Sequence, residues 1–213
     1  MAHAQSGIVF IVDDDPRVRE SLSMLLSSFD MQAVTFGSAS EYMAYPKPDV
    51  ASCLVLDLEL PDINGLELQS RIAQGAHPHI VFVTGHADVS SSVRAMKSGA
   101  VDFLTKPFKE ADLMRAIDSA LAKNREAKQE RREIADLQRR LSVLTRRERD
   151  VLPLVVSGLL NKQAAAELGI SEITLQIHRS SIMKKMEASS LPELVRMAQT
   201  LGIPVTGSRR SPR

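Results

Sequence analysis

The chain has 213 residues, 25% charged and 44% apolar, which allows two small domains or one larger one. No apolar run approaches the ~18–20 residues of a membrane span, and no signal-peptide core opens the chain, so no membrane partner is expected and the reading is cytoplasmic. The single Cys53 excludes an intramolecular disulfide, no Cys/His cluster offers a zinc site, and the net charge of +1 hides 9 Lys and Arg against 16 Asp and Glu up to residue 122 (−7) but 18 against 10 beyond it (+8).

The predicted elements alternate in the acidic part. Ile8 to Val12 is an apolar strand ending in Asp13, Asp14 and Asp15. Pro16 suits the first turn of a helix, with Asp15 as its cap, and Val18, Leu22, Leu25, Leu26 and Phe29 follow at helical spacing. Ala33 to Phe36 is a second strand and Ser38 to Tyr45 a second helix. Leu54 to Leu56 is an apolar run that ends in Asp57, which belongs at the carboxyl end of a buried strand, before the turn formers Pro61, Asp62, Asn64 and Gly65. A helix over 65–74, a strand over 80–84, a helix over 88–98, a strand over 101–105 and a helix from about Glu110 complete five strand–helix repeats. That order predicts an α/β doubly wound, five-stranded parallel sheet.

Asp13, Asp14, Asp57, Thr84 and Lys106 all fall at predicted strand ends, the edge where ligands bind in such sheets. Oxygen ligands with no sulfur or imidazole suit Mg²⁺. Lys106 would meet a phosphoryl oxygen as a point charge, Thr84 would donate to another, and Asp57 would be an acceptor nucleophile. No Walker loop is present, so the phosphoryl donor lies outside the chain.

These positions, with Pro107, resemble the signature of two-component receiver domains over about residues 6–125. The resemblance implies that a sensor histidine kinase phosphorylates Asp57. It implies that Asp14 and Asp57 bind Mg²⁺ with the backbone carbonyl of Glu59, Asp13 acting through water, and that Thr84 and Phe103 switch together. It also implies a cis peptide before Pro107, and that Glu59 and His86 tune dephosphorylation.

Residues 110–144 are helical in composition, with Leu113, Ala120, Ala127, Ile134 and Leu141 seven apart and Leu137 and Leu144 adding a seam only near the end. The polar middle reads as a solvated helix joining two domains. Beyond it, Thr145 and Glu148 have capping-box spacing, and Pro153 predicts a kink in the helix that follows. Asn161 is read as the cap of a short helix to Leu168, Ser171 as the cap of the next, to about Met186, and Ser190 with Pro192 as the start of a last one ending near Leu201. This is an all-α, four-helix, helix-turn-helix domain. In helix 172–186, Leu175, His178, Ile182 and Met186 form the core stripe. Gln176, Ile177 and Ser180 face outward to read bases, with Thr174 beside them, and Lys162, Arg179, Lys184 and Lys185 suit phosphates.

The segments around Leu144–Leu152, Asn161–Lys162, Ile170–Glu172, His178–Arg179 and Met183–Met186 resemble the LuxR-type DNA-binding domain over about residues 140–203. Together the halves resemble the FixJ/NarL class of response regulators. The expected layout is a receiver over 1–122, a helical linker over 123–143 continuous with the fifth receiver helix, a LuxR-type domain over 144–204 and a disordered basic tail over 205–213. The expected partners are a sensor histidine kinase, double-stranded promoter DNA, a second copy of the chain on phosphorylation, and RNA polymerase. Two other readings stay open: a DNA-binding regulator indifferent to phosphorylation, and a Mg²⁺-dependent aspartyl-phosphate phosphatase with Glu59 as its second carboxylate.

Overall fold

A computed structural model describes residues 7–72, 77–85 and 88–204. His86, the predicted helix end at Gln74 and the tail over 205–213 lie outside the described residues. The chain divides into two compact units, Met1–Gln129 and Glu130–Arg213.

In the first unit the elements are β1 (Gly7–Val12), α1 (Pro16–Ser28), β2 (Gln32–Phe36), α2 (Ala39–Ala44), β3 (Ala51–Leu56), α3 (Gly65–Ile72), β4 (His79–Thr84), α4 (Val89–Lys97), β5 (Asp102–Thr105) and α5 (Glu110–Ser142), the last running on into the second unit. The five strands form one parallel sheet in the order β2-β1-β3-β4-β5. Successive side chains on a strand face opposite ways. Phe10 and Val12 of β1 and Leu54 and Leu56 of β3 therefore pack with Tyr42, Leu68 and Ala95 from α2, α3 and α4. Val9, Ile11, Cys53 and Val55 face the other layer, with Leu22 and Leu26 of α1 and Leu113, Ile117 and Leu121 of α5. Burial on both faces is why these strands read as continuous apolar runs.

The helix starts follow local chemistry. The side chains of Asp15, Ser38 and Asp88 accept backbone N–H groups at the starts of α1, α2 and α4. Asp62, in the β3–α3 loop, accepts from the N–H groups of Ala39 and Ser40 and from the Ser40 hydroxyl, which ties that loop to α2. Those hydrogen bonds, the Ser40 hydroxyl's first, hold its carboxyl down at about 2.

Asn124 of α5 is buried within an otherwise polar stretch. Its Oδ1 accepts from Ser52 N–H at 2.9 Å and its Nδ2 donates to the His77 carbonyl at 3.0 Å. Sequence gave no sign of this pin between α5 and the start of β3. Asn124→Ala leaves the Ser52 N–H buried without that acceptor, so we expect the first unit to lose about 2 kcal/mol in urea unfolding. A loss within error would mean the site rehydrates.

The second unit contains the end of α5 followed by α6 (Arg146–Val156), α7 (Asn161–Leu168), α8 (Glu172–Met186) and α9 (Leu191–Thr200), around a core that includes Val151, Leu152, Val155, Leu175, Ile182, Met186 and Leu194. The Thr145–Glu148 capping box is formed. α6 passes through Pro153 as one helix, and its last turn closes on the Pro153 carbonyl, which accepts from the N–H and the hydroxyl of Ser157. Gly169, between α7 and α8, is left-handed at φ 65°, a conformation glycine adopts without Cβ cost. Asn161 is not the cap of α7. Leu160 holds that position, and Asn161 is the first helical residue.

Candidate functional site

Because β2 and β3 lie on opposite sides of β1, the sheet has its topological switch between β1 and β3, and their carboxyl ends open a crevice. Asp13 follows β1 and Asp57 follows β3; the N–H of Asp13 donates to the Phe36 carbonyl and that of Asp57 to the Val12 carbonyl, which extends the sheet by one residue. Both carboxylates are almost fully buried, 2% and 7% exposed, whereas Asp14 is exposed. Ligand oxygens of Asp13, Asp14 and Asp57 all lie within 4.8 Å of one another.

Lys106 enters from the end of β5. Its ammonium lies 2.6 Å from Asp13 Oδ2 and 2.8 Å from Asp57 Oδ2. Burial opposes the charge on Lys106, but its hydrogen bonds to the two carboxylates outweigh burial and hold the ammonium above its ordinary value. Burial pushes the Asp13 carboxyl up, with a small contribution from Asp57, against the pull of Lys106. The Lys106–Pro107 peptide is cis, as expected. Thr84 ends β4 and is fully buried, and its carbonyl accepts the Lys106 N–H at 2.8 Å. Phe103 is half-buried on β5, its ring 6.0 Å from that of Phe82. The Glu59 N–H donates to Asp57 Oδ1 at 3.2 Å. Asp13, Asp14, Asp57, Glu59, Thr84 and Lys106 thus belong to one edge of the sheet, while Phe103 lies within β5 opposite Phe82.

Two features of this edge were not read from sequence. The Arg19 guanidinium donates to the carbonyls of Asp13 and Asp14, at 2.7 and 2.9 Å, and so fixes the peptide planes of the acidic turn. The only signal was an arginine one turn into the following helix. At Gly65 an added Cβ would sit 2.3 Å from the Asp57 carbonyl oxygen, so α3 can begin this close to the end of β3 only with glycine.

The donor set suits a hard divalent cation. Three carboxylates converge, one ammonium offsets a single charge among them, and the ligand atoms are all oxygen. Such an ion would offset the remaining repulsion and polarise a phosphoryl oxygen.

On the second unit, α7 and α8 meet across the Gly169 turn. Leu175, Ile182 and Met186 are buried, and His178 is half-buried beside them. Gln176, Ile177, Ser180, Lys184 and Lys162 are exposed and Thr174 is half-buried. Arg179 and Lys185 are half-buried and engaged within the unit, Arg179 with Asn161 and Lys185 with Glu148, so Lys162 and Lys184 are the more exposed of the four cations expected to meet phosphates. Ile173, 77% exposed one turn before Ile177 at 63%, extends the outward face.

Residues 9–118 match the family described as response regulator receiver domain, and residues 142–198 match bacterial regulatory proteins, luxR family. The chain belongs to the receiver-domain response regulators with a LuxR-type DNA-binding domain. Among its relatives are Nodulation protein W of Bradyrhizobium diazoefficiens, 48% identical over 92% of this chain and 87% of that one, and the transcriptional regulatory protein FixJ of Azorhizobium caulinodans, 42% identical over 92% and 93%. Of solved structures, the response regulator StyR matches with a TM-score of 0.81 at 44% identity, covering 91% of this chain and 98% of that one. Full-length FixJ from B. japonicum matches with a TM-score of 0.54 at 36% identity, covering 94% and 100%. A response regulator of this build implies a kinase partner and DNA. Among the described residues no helix is long and apolar enough to cross a membrane.

Proposed function

We propose that this response regulator is switched by phosphorylation of Asp57 and binds promoter DNA through α8. The observation that carries the reading is the Asp13–Lys106–Asp57 cluster at the switch point of the sheet. A carboxylate oxygen of Asp57 forms the new bond to phosphorus as the bond from phosphorus to the donor's histidine nitrogen breaks. That nitrogen leaves as the imidazole of the partner kinase. Asp13, Asp14, Asp57 and the backbone carbonyl of Glu59 would hold Mg²⁺. Lys106 exchanges one of its carboxylate contacts for a phosphoryl oxygen. Thr84 moves to another, and Phe103, in contact with Phe82, follows into the space vacated.

The output is a shift in population between two surfaces of the first unit. Val89, Val93 and Met96 form an exposed apolar row at i, i+4 and i+7 on α4, and they support pairing of two copies through the α4–β5 face. Two copies would bring two α8 helices to adjacent half-sites and present a surface to RNA polymerase.

We expect intact-mass spectrometry with acetyl phosphate and Mg²⁺ to show one added phosphoryl group on the wild-type chain and none on Asp57→Asn. Equal uptake by the variant would place the acceptor elsewhere. Release of phosphate from an added phosphomonoester, turning over many times, would instead favour the phosphatase reading.

A further inference from the structure

Asn161 lies outside the set of residues read as contacting DNA, yet it touches two of them. Its Oδ1 accepts from Arg179 Nη1 at 3.2 Å, and its Nδ2 donates to Gln176 Oε1 at 2.8 Å. It is free to do so because it does not cap α7. Leu160 occupies the cap, and the Leu160 N–H is taken by Gln163 Oε1 at 3.0 Å.

The direction of this chain follows from chemistry. A guanidinium has donors and no acceptor. Arg179 therefore requires the oxygen end of the Asn161 amide, which turns the amide nitrogen toward Gln176. Only the carbonyl end of Gln176 can receive that nitrogen. The free end of Gln176, on the exposed face of α8, is then its NH₂ group, which only donates.

We infer that Asn161 is a positioning residue that holds the carbonyl of Gln176 toward α7, leaves its NH₂ group as the free end, and so favours guanine over adenine at the base pair Gln176 meets. Guanine offers two acceptors in the major groove, N7 and O6, whereas the paired contact of a glutamine with adenine needs a donor and an acceptor together. Gln176 Oε1 keeps a second lone pair, so the paired contact with adenine requires it to serve Asn161 and the base at once, whereas guanine takes both of its bonds from the NH₂ group and leaves the Asn161 contact undisturbed. The inference rests on the reading above that α8 enters the major groove.

The test uses the full-length protein activated with beryllofluoride and Mg²⁺, and a random double-stranded DNA library. Selection with wild type and with Gln176→Ala locates the base pair that Gln176 reads, as the position where the variant loses preference. There the wild type should favour guanine over adenine by about tenfold. Asn161→Asp places an oxygen on both sides. Arg179 still donates to one, the other needs a donor from Gln176, and the glutamine turns its carbonyl outward. The preference should then invert toward adenine or cytosine, whose amino groups donate. The added negative charge weakens every sequence alike, so the ratio is the readout.

Asn161→Ala is the second variant, used if circular dichroism finds Asn161→Asp unfolded. It releases Gln176, and the guanine-to-adenine ratio should fall toward one. An adenine preference in the wild type, or an unchanged ratio in the folded variants, would overturn the inference while leaving DNA binding by α8 intact. Enrichment of no sequence by the wild type would instead overturn the DNA-binding reading, and this inference with it.

Discussion

Glu148→Ala is expected to destabilise the second unit by about 3 kcal/mol, among the largest effects of a single substitution in this chain. Glu148 is 4% exposed and carries contacts from two helices. Its Oε2 accepts the Thr145 N–H at 2.7 Å, closing the capping box of α6. The same carboxylate takes the Ser181 hydroxyl at 2.5 Å and Lys185 at 2.7 and 2.9 Å, both from α8. Removing it unpairs a half-buried ammonium and opens the joint between α6 and α8. Burial works against the charge on Glu148, but the hydrogen bonds of Lys185, Ser181 and Thr145 outweigh it and hold the carboxyl down at about 2.

The sign for pH follows. The folded value lies below the unfolded one of ~4.3, so the stabilisation is complete above that value and is lost as pH falls toward about 2. Urea unfolding of the second unit between pH 5 and pH 2 should therefore show a steeper loss in wild type than in Glu148→Gln. Parallel curves would mean the charge is not held as described. Replacing both Glu148 and Lys185 with leucine should cost less than Glu148→Ala, because no charge is left unpaired.

Lys106→Met is expected to slow phosphoryl uptake from acetyl phosphate by on the order of a hundredfold, the scale of losing one charge-stabilising donor from a transition state. The ammonium is the shared partner of Asp13 and Asp57, both nearly buried. Without it two adjacent carboxylates face each other across the crevice, and the arriving phosphoryl charge meets no cation from β5. Lys106→Arg keeps the charge but substitutes a planar fork for a point charge, so it should recover only part of the rate. Time courses by intact mass read both variants. Uptake by Lys106→Met at the wild-type rate would remove Lys106 from the transfer step.

The acidic site was legible because each of its residues ends a strand that is itself an apolar run, and strand ends in a parallel sheet share one edge. Helix starts were legible for the same local reason: Asp15, Ser38, Asp88, Thr145, Ser171 and Ser190 each bond an N–H two or three residues on. What escaped was long-range. The Glu148–Lys185 pair joins residues 37 apart, and Asn124 reaches Ser52 across 72. Neither leaves a pattern in a local window, since a capping glutamate and a helix-surface asparagine look alike whether or not they are buried. Asn161 was misplaced by one residue because its cap preference is real, but Gln163 satisfies the Leu160 N–H and frees the asparagine for α8. Strand beginnings at Gln32 and His79 were missed because pairing, not apolarity, extends them.

Phosphorylation of Asp57 is proposed to control DNA binding by α8. The most direct measurement is the affinity of the full-length protein for a selected DNA fragment, with Mg²⁺ throughout, before and after adding beryllofluoride, in wild type and in Asp57→Asn, with molar mass followed by light scattering in the same samples. Wild type should shift from monomer to dimer and bind at least tenfold more tightly, a change of about 1.4 kcal/mol, and Asp57→Asn should do neither. Equal affinity with and without beryllofluoride in the wild type, at unchanged mass, would contradict the proposed control and leave a DNA-binding protein whose acidic site does not govern its output.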